Sequence, residues 1–282
     1  MPTNREIYFS LINENNKHLT RLVVKTLLND ANNFEDPNLS LYKHFDEECF
    51  NYEKLMDNVN RVRSGEPYQY VLGYANFIDR NFCVDKNVLI PRQETEELVM
   101  NAKIIIDKAF KDDAPITIAD IGTGSGVIAI TLKRYFPNAR VFATDIDEKC
   151  LEIAKKNAIL QGLEVEFLKG NLVDPILKKN LKLDVLISNP PYIEDESTID
   201  EQVFKYEPHS ALLAKPCTRY YEEILKHANE LVKPDGVLIF EIGEDMEEAL
   251  MDIAGQYLPG DSIIFSKDIY KKTRFMYIIR EG

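Results

Sequence analysis

Asn189, Pro190, Pro191 and Tyr192 follow the apolar run Val185-Leu186-Ile187 after a single serine, and their types suit a seat for an amino group. Proline has no backbone N–H to donate, so the main chain at Pro190 and Pro191 offers carbonyl acceptors. The Asn189 side-chain oxygen is a further acceptor, and Tyr192 gives an aromatic face for a flat conjugated group. Two such acceptors suit an NH2 whose lone pair is delocalised into a neighbouring C=O or ring. A nitrogen of that kind is a poor nucleophile. Fixed acceptors on both of its N–H groups stabilise the positive charge that develops as it attacks a carbon, and holding the reacting atoms in line contributes the rest. No strong base has to act first, because the proton turns acidic once the nitrogen is alkylated. Asn189, Pro190 and Tyr192 are therefore the candidate catalytic residues, and all four positions are candidate substrate contacts.

A second constellation reads Asp120-Ile121-Gly122-Thr123-Gly124-Ser125-Gly126, between the apolar "ITIAD" and the helical pattern "VIAITLKRYF". Glycines at such a junction let the backbone turn sharply and approach a ligand closely. An acidic residue about 20 positions later, at the end of the next strand, typically binds ribose hydroxyls. Asp145 in "FATDID" meets that spacing; Asp147 is the other candidate, farther from the expected strand end. A dinucleotide fingerprint would need a third glycine at position 127, which is Val127. The observed GxGxG after Asp120 is instead the pattern of methyltransferases that use S-adenosylmethionine, a nucleoside with no pyrophosphate to cradle. Gly122, Thr123, Gly124, Ser125, Gly126 and Asp145 are thus candidate cofactor-binding residues. Asn171 and Leu172 in "KGNLVD" occupy the place where such folds contact adenine, although an asparagine in a turn is common for backbone reasons alone. Asn189, ending a fourth strand, is expected to face the same crevice.

The elements that must position these residues form an alternating pattern from about residue 116. "ITIADIG", "ARVFATDID", "EVEFLKG", "DVLISN" and "GVLIFEIG" read as strands. "SGVIAITLKRYF", "KCLEIAKKNAIL" (with Leu151, Ala154 and Ala158 on one side), "YYEEILKHANELV" and "MEEALMDIAG" read as helices. Strands alternating with helices imply an α/β fold with a mostly parallel, Rossmann-like sheet covered on both faces. "SIIFSKD" and "TRFMYIIRE" have no helix between them and are expected to add an antiparallel edge. Upstream, Leu19, Leu22, Val23 and Leu27, then Tyr52, Leu55, Met56, Val59 and Val62, recur at helical spacing, with a break expected at Pro37. Gly65 and Pro67 supply the stop. The aromatic and β-branched stretch "YQYVLGYANFIDRNFCVDKNVLIPR" predicts a β-hairpin turning at Asp79-Arg80. The expected organisation is a helical domain over 1–64, a hairpin connector over 65–90 and a catalytic domain over 91–282.

Composition narrows the function. The 282 residues carry a formal net charge of −13, with 4 cysteines and 4 histidines scattered without metal-ligand spacing. No metal site and no disulfide is expected. Nucleic-acid affinity comes from neutralising phosphates with Lys and Arg, and the first 64 residues, with 8 basic against 10 acidic side chains, hide no basic module. No direct nucleic-acid partner and no membrane span is expected, and the absence of a signal-like start points to the cytoplasm.

Taken together, "EPYQYVLGYANFIDRNFCVDKNVLIPRQETEELV", "DIGTGSG", "SNPPYI", "YEPHSAL" and "IFEIG" resemble the HemK/PrmC release factor glutamine methyltransferases over nearly the whole chain. The resemblance implies S-adenosyl-L-methionine as cofactor and, as substrate, the glutamine of the Gly-Gly-Gln motif in class I peptide release factors, methylated on its side-chain amide. It implies cofactor contacts at Gly122 to Gly126, Asp145 and Asn189, and a glutamine seat at Asn189 to Tyr192; the helical N-terminal domain, with the hairpin, is expected to grip the release factor. Arg92 and Thr95 in "PRQETEEL" either approach the cofactor or, for Thr95, cap the following helix. The alternatives are glutamine methylation of a ribosomal protein, or adenine-N6 methylation of DNA, which uses the same NH2 chemistry but needs phosphate contacts and base extrusion. Two stretches depart from the family pattern, "KPCTRYY" and "IYKKTRF"; both read as surface-loop changes. The acidic "IEDESTIDEQ" reads as a solvated loop over the site or a steering element for a basic substrate.

Overall fold

The computed structural model describes residues 1–34, 40–110 and 115–282; the expected break at Pro37 lies outside them. The chain divides into two compact units. The first comprises Met1–Tyr74 with Glu201–Tyr206, and the second Ala75–Asp200 with Glu207–Gly282.

The first unit is helical: α1 (Asn4–Ile12), α2 (Arg21–Ala31), α3 (Ser40–Lys43), α4 (Tyr52–Arg63) and α5 (Tyr68–Leu72). A capping box starts α1, where Thr3 and Glu6 satisfy each other's backbone N–H. Thr20 and Asn51 cap α2 and α4 with side-chain oxygens. The core joins Val24, Leu27 and Leu28 of α2 to Leu55, Val59 and Val62 of α4. Leu22, expected on that face, is 64% exposed. The buried stripe of α2 runs through 23, 24, 27, 28 and 31, which leaves position 22 on the outside. Gly65 takes the left-handed conformation that ends α4 (φ 96°), with its N–H on the Val62 carbonyl at 2.9 Å. A helix then forms where the hairpin was expected to begin. Pro67 precedes α5, where its missing N–H is not needed, and left-handed Gly73 ends it. The short helix α10 (Glu201–Tyr206) belongs to this unit although it is distant in sequence: Gln202 donates to the Gly65 carbonyl (2.9 Å) and Tyr206 to that of Ser64 (3.3 Å).

The hairpin itself is β1 (Tyr74–Phe77) and β2 (Arg80–Cys83). Its turn centres on Ile78-Asp79, one residue earlier than expected, with both residues left-handed (φ 44° and 60°) as a tight hairpin of this hand requires. That conformation is unfavourable for a β-branched residue. It is held from both sides: the Ile78 N–H donates to Glu96 Oε1 (2.9 Å), and its carbonyl accepts from Arg134 (3.3 Å).

In the second unit, β3 (Thr117–Ile121), β4 (Arg140–Asp145), β5 (Glu166–Lys169), β6 (Leu183–Ser188), β7 (Val232–Glu241), β8 (Ser262–Lys267) and β9 (Thr273–Ile279) form one sheet in the order β5-β4-β3-β6-β7-β9-β8. The first five are parallel, and β9 runs antiparallel to both β7 and β8. The expected antiparallel edge therefore exists, with β9 inserted between β7 and β8. Alternate residues bury to opposite faces. Ile118, Val185, Ile187, Val237 and Ile239 pack with α6 (Gln93–Ala109), α7 (Val127–Tyr135) and α8 (Glu148–Gln161). Ala119, Ile121, Leu186, Leu238 and Phe240 pack with α9 (Asp174–Lys178), α11 (Arg219–Leu225), α12 (Ala228–Leu231) and α13 (Glu247–Tyr257). The stretch expected as one helix from Tyr220 is two, α11 and α12, divided at Lys226-His227. Among the described residues no helix is long and apolar enough to cross a membrane.

The glycine loop joins β3 to α7 with Gly122, Gly124 and Gly126 all left-handed (φ 76°, 55° and 84°). A Cβ at Gly122 or Gly124 would meet nothing within 4 Å, whereas one at Gly126 would lie 2.9 Å from Ile130 Cδ1 and 3.0 Å from Ala154 Cβ. The third glycine thus permits α7 to pack on α8, and the first two shape the loop's open side. Gly124→Ala is expected to cost roughly 1–2 kcal/mol from backbone conformation alone. Gly126→Ala should cost about 1–3 kcal/mol more through overpacking; urea unfolding of the two variants tests the order. In the first unit, Leu27→Ala should cost about 2–5 kcal/mol, while Leu22→Ala should stay within about 0.5 kcal/mol of the parent. Equal effects in that pair would contradict the helix face described here.

Candidate active site

The site is built on the carboxyl ends of adjacent parallel strands. Ile121 pairs with Ser188, and the Ser188 hydroxyl donates to the Ile121 carbonyl at 2.6 Å, so Gly122 and Asn189 leave the sheet side by side. On the other flank Ile121 pairs with Thr144. The Thr144 carbonyl accepts from Gly122 and Thr123 (2.9 and 2.8 Å), and its hydroxyl donates to the Leu172 carbonyl (2.8 Å). Leu172 is left-handed, at φ 42°. One cavity results. Gly122, Thr123, Gly124, Ser125, Asp145, Asn171, Leu172, Asn189, Pro190 and Pro191 all line it. Gly126 and Tyr192 do not: the glycine sits at the helix contact described above, and the tyrosine is packed elsewhere in the network below.

Asp145 reaches the cavity but is already committed to the loop. Its Oδ2 accepts from the Gly124 N–H and its Oδ1 from that of Asp147, each at 2.9 Å. Burial raises its pKa, while these backbone donors pull the other way. Asp147, the alternative, also lines the cavity and caps α8 through Lys149 N–H. Beneath the loop Asp120 is fully buried, with Oδ2 accepting from Thr123 Oγ1 (2.6 Å) and Ala129 N–H (3.2 Å). Burial pushes its pKa up to about 7, against the pull of those two donors. Asn157 ties the loop to the hairpin: it accepts from Cys83 N–H (2.6 Å) and donates to the carbonyls of Cys83 (3.0 Å) and Ser125 (2.8 Å).

A second network orients Asn189. Its Nδ2 donates to Thr95 Oγ1 (3.0 Å), whose hydroxyl donates to Glu241 Oε2 (2.8 Å). Tyr192 donates its hydroxyl to Glu241 Oε1 (3.3 Å), and Tyr221 donates to the Glu241 backbone carbonyl (2.8 Å). Glu241 is 2% exposed, and burial lifts its pKa to about 7 against the opposing pull of Thr95, Arg274 and Tyr192. Burial and the Glu241 charge together drive the Tyr192 pKa well above its usual value, so its proton is firmly held. The Tyr192 ring lies beside Gly243, where a Cβ would come within 3.1 Å of Cδ2.

Several expectations meet this geometry differently. Thr95 lines the cavity and does not cap α6; that position belongs to Arg92, which has no side-chain cap bond. The Arg92 guanidinium pairs with buried Glu207 at 2.5 Å, and the same carboxylate accepts from Ile90 N–H at 3.0 Å, so Arg92 is absent from the cavity wall. The two stretches read as surface-loop changes touch the site. Tyr220 of "KPCTRYY" lines the cavity, and Tyr221 is fully buried beneath Glu241. Arg274 of "IYKKTRF" donates to the Ile242 carbonyl (3.1 Å), adjacent to Glu241. Both stretches lie near strand carboxyl ends, where loops converge. Residues 194–198 are solvent-exposed, and none of 193–202 lines the cavity. Ile146, Cys150 and the segment Asn87 to Leu89 with Pro91 are wall residues that sequence patterns did not single out. Glu241 had a legible signal, a carboxylate ending the otherwise apolar "GVLIF".

The methyltransferase small domain family matches residues 100–206. The chain is 40% identical over 221 residues to the release factor glutamine methyltransferase of Staphylococcus aureus, covering 77% of each chain. It is 38% identical over 227 residues to that of Enterococcus faecalis, covering 79% of each, and 35% identical over 255 residues to that of Lactococcus lactis, covering 89% of this chain and 90% of the relative. Among solved structures, a methyltransferase from Pyrococcus furiosus superposes with a TM-score of 0.51 at 17% identity, over 73% of this chain and 91% of the other. The METTL16 methyltransferase domain does so with a TM-score of 0.53 at 16% identity, over 71% and 89%; both show the Rossmann-like methyltransferase fold. On the strength of identity sustained over more than three quarters of its length, the chain belongs to the release factor glutamine methyltransferase family.

Proposed function

We propose that the protein transfers a methyl group from S-adenosylmethionine to the side-chain amide nitrogen of the glutamine in the Gly-Gly-Gln motif of class I peptide chain release factors, in the cytoplasm. The observation that carries this reading is one cavity wall shared by the glycine loop and by Asn189-Pro190. The residues present fit the cofactor: Gly122 and Gly124 leave the loop open to close approach, Asp145 and Asp147 offer carboxylates, and Ile146 and Leu172 give apolar surface. When bound, the cofactor supplies an activated methyl group on a positively charged sulfur.

The chain's own residues supply positioning and charge stabilisation. Asn189 Oδ1 and the Pro190 carbonyl accept the two N–H hydrogens of the glutamine amide, which fixes the nitrogen and stabilises positive charge developing on it. Tyr220 gives the cavity an aromatic wall. Tyr192 acts through Glu241 instead of as a plate for the amide. Recognition of the rest of the factor falls to the helical unit, where Leu22 and Phe50 expose 64% and 73% of their surface. Adenine methylation of DNA is disfavoured by the charge of −13.

Transfer of label from radioactive S-adenosylmethionine tests the function, with purified release factor, its Gln→Ala loop variant and unmethylated duplex DNA offered in parallel. Label is expected on the wild-type factor alone; label on the variant factor or on DNA would refute the assignment. Asn189→Ala should lower kcat by roughly 10²–10³, and a near-normal rate would sink the acceptor mechanism. Leu22→Glu or Phe50→Glu should raise KM for the whole factor without changing cofactor affinity. An unchanged KM in both variants would remove recognition from this surface.

A further inference from the structure

The acceptor mechanism requires one end of the Asn189 amide, and not the other, to face the substrate. Its two ends are nearly the same size, and a flipped amide would set its NH2 against the NH2 of the glutamine, donor against donor. We propose that Thr95 and Glu241 are positioning residues for methyl transfer: ionised Glu241 accepts the hydrogen bond that the Thr95 hydroxyl donates, so Thr95 can only accept from Asn189 Nδ2, and Oδ1 is left to the crevice. The proposal deepens the proposed function and rests on it.

The directionality follows from counting donors. A threonine hydroxyl has one proton and two lone pairs, and an ionised carboxylate only accepts. With Thr95 Oγ1 2.8 Å from Glu241 Oε2 and 3.0 Å from Asn189 Nδ2, the single proton points to the carboxylate and a lone pair to the asparagine. The other carboxylate oxygen takes the Tyr192 hydroxyl. Two hydroxyls converging on separate oxygens match the ionised form of the acid. Asn189 Oδ1 makes no hydrogen bond with the described residues. Burial of Thr95 and Glu241 removes the solvent competition that would scramble such a chain.

The groups facing Glu241 are Thr95 and Glu94 of α6, Tyr192 after β6, Tyr221 of α11 and Arg274 of β9, with Asp268 paired to Arg274 at 3.5 Å. Arg274 favours the charged acid, whereas burial and Glu94 oppose it. The balance places Glu241 near neutrality, at about 7. As pH falls through that value the acid gains a proton, can itself donate to Thr95, and frees the threonine proton to turn toward Asn189. The fixed orientation is therefore a property of the higher-pH form.

The test is steady-state methylation of release factor by the full-length enzyme and three variants, with cofactor affinity measured by calorimetry and folding by thermal melting. Thr95→Val removes the hydroxyl at nearly constant volume and should lower kcat roughly 10- to 100-fold, the range seen when an outer partner of a site ligand is lost, with KM and cofactor affinity little changed. Thr95→Ser restores the hydroxyl and should recover the rate to within about threefold. The wild-type kcat should fall on acidification through about 7; Glu241→Gln should be slow and lack that limb. A folded Thr95→Val enzyme with wild-type kcat, or Glu241→Gln with the wild-type rate and the same acid limb, would overturn the proposal. Should Thr95→Val fail to fold, the serine rescue and the Glu241→Gln pH profile decide it alone. A wild-type enzyme that labels no release factor would overturn the functional reading and the positioning proposal together, whereas normal labelling with indifferent variants would remove only the latter.

Discussion

The pairing of Ile121 with Ser188 is the constraint on which the rest of the site depends. The chain runs from β3 outward to β4 and β5, then returns to place β6 on the other side of β3. Two connections must therefore depart in different directions from neighbouring strand ends, which opens a crevice at the carboxyl edge of the sheet. Because register is fixed by alternation between two buried faces, a one-residue slip would carry Ile187 and Leu186 to the wrong sides. The hydrophobic core thus sets the separation of Gly122 from Asn189.

Three acids then organise the edge. Asp120 near the end of β3, Asp145 ending β4 and Glu241 ending β7 each accept from groups on a neighbouring loop or helix. Each takes hydrogen bonds from nearby protein groups, although Asp120 Oδ1 is buried without a partner among the described residues. Asp120 and Asp145 hold the glycine loop from below and from the side. Glu241 organises the other half of the crevice through Thr95 and Tyr192. The two halves of the crevice are held by separate networks, each anchored to a strand end.

The fold was legible because its signals are periodic: each strand from β3 to β7 and each helix flanking the cofactor loop stands out by apolar pattern. Gly122, Gly124, Asp145, Asn189, Pro190 and Pro191 could be picked out because each motif is local in sequence, and they line one cavity. What escaped was set by distance. The bond from Thr95 to Glu241 spans 146 residues, so neither residue's neighbours reveal the other, and Thr95 looked equally like a helix cap. Nothing near Tyr192 in sequence shows that its hydroxyl meets Glu241. Helix α5 was hidden by β-prone residues whose conformation Pro67 and Gly73 decide. Leu22 satisfied a helical spacing yet fell outside the face that packing selects.

Fixed acceptors at Asn189 and Pro190 are proposed to hold the substrate amide beside the cofactor loop. The most direct measurement is a crystal structure of the enzyme with S-adenosylhomocysteine and a release factor fragment carrying the Gly-Gly-Gln motif. The glutamine NH2 is expected within hydrogen-bonding distance of Asn189 Oδ1 and the Pro190 carbonyl, with Asn189 Nδ2 still on Thr95. A glutamine bound with its carbonyl toward Asn189, or outside the crevice, would contradict it.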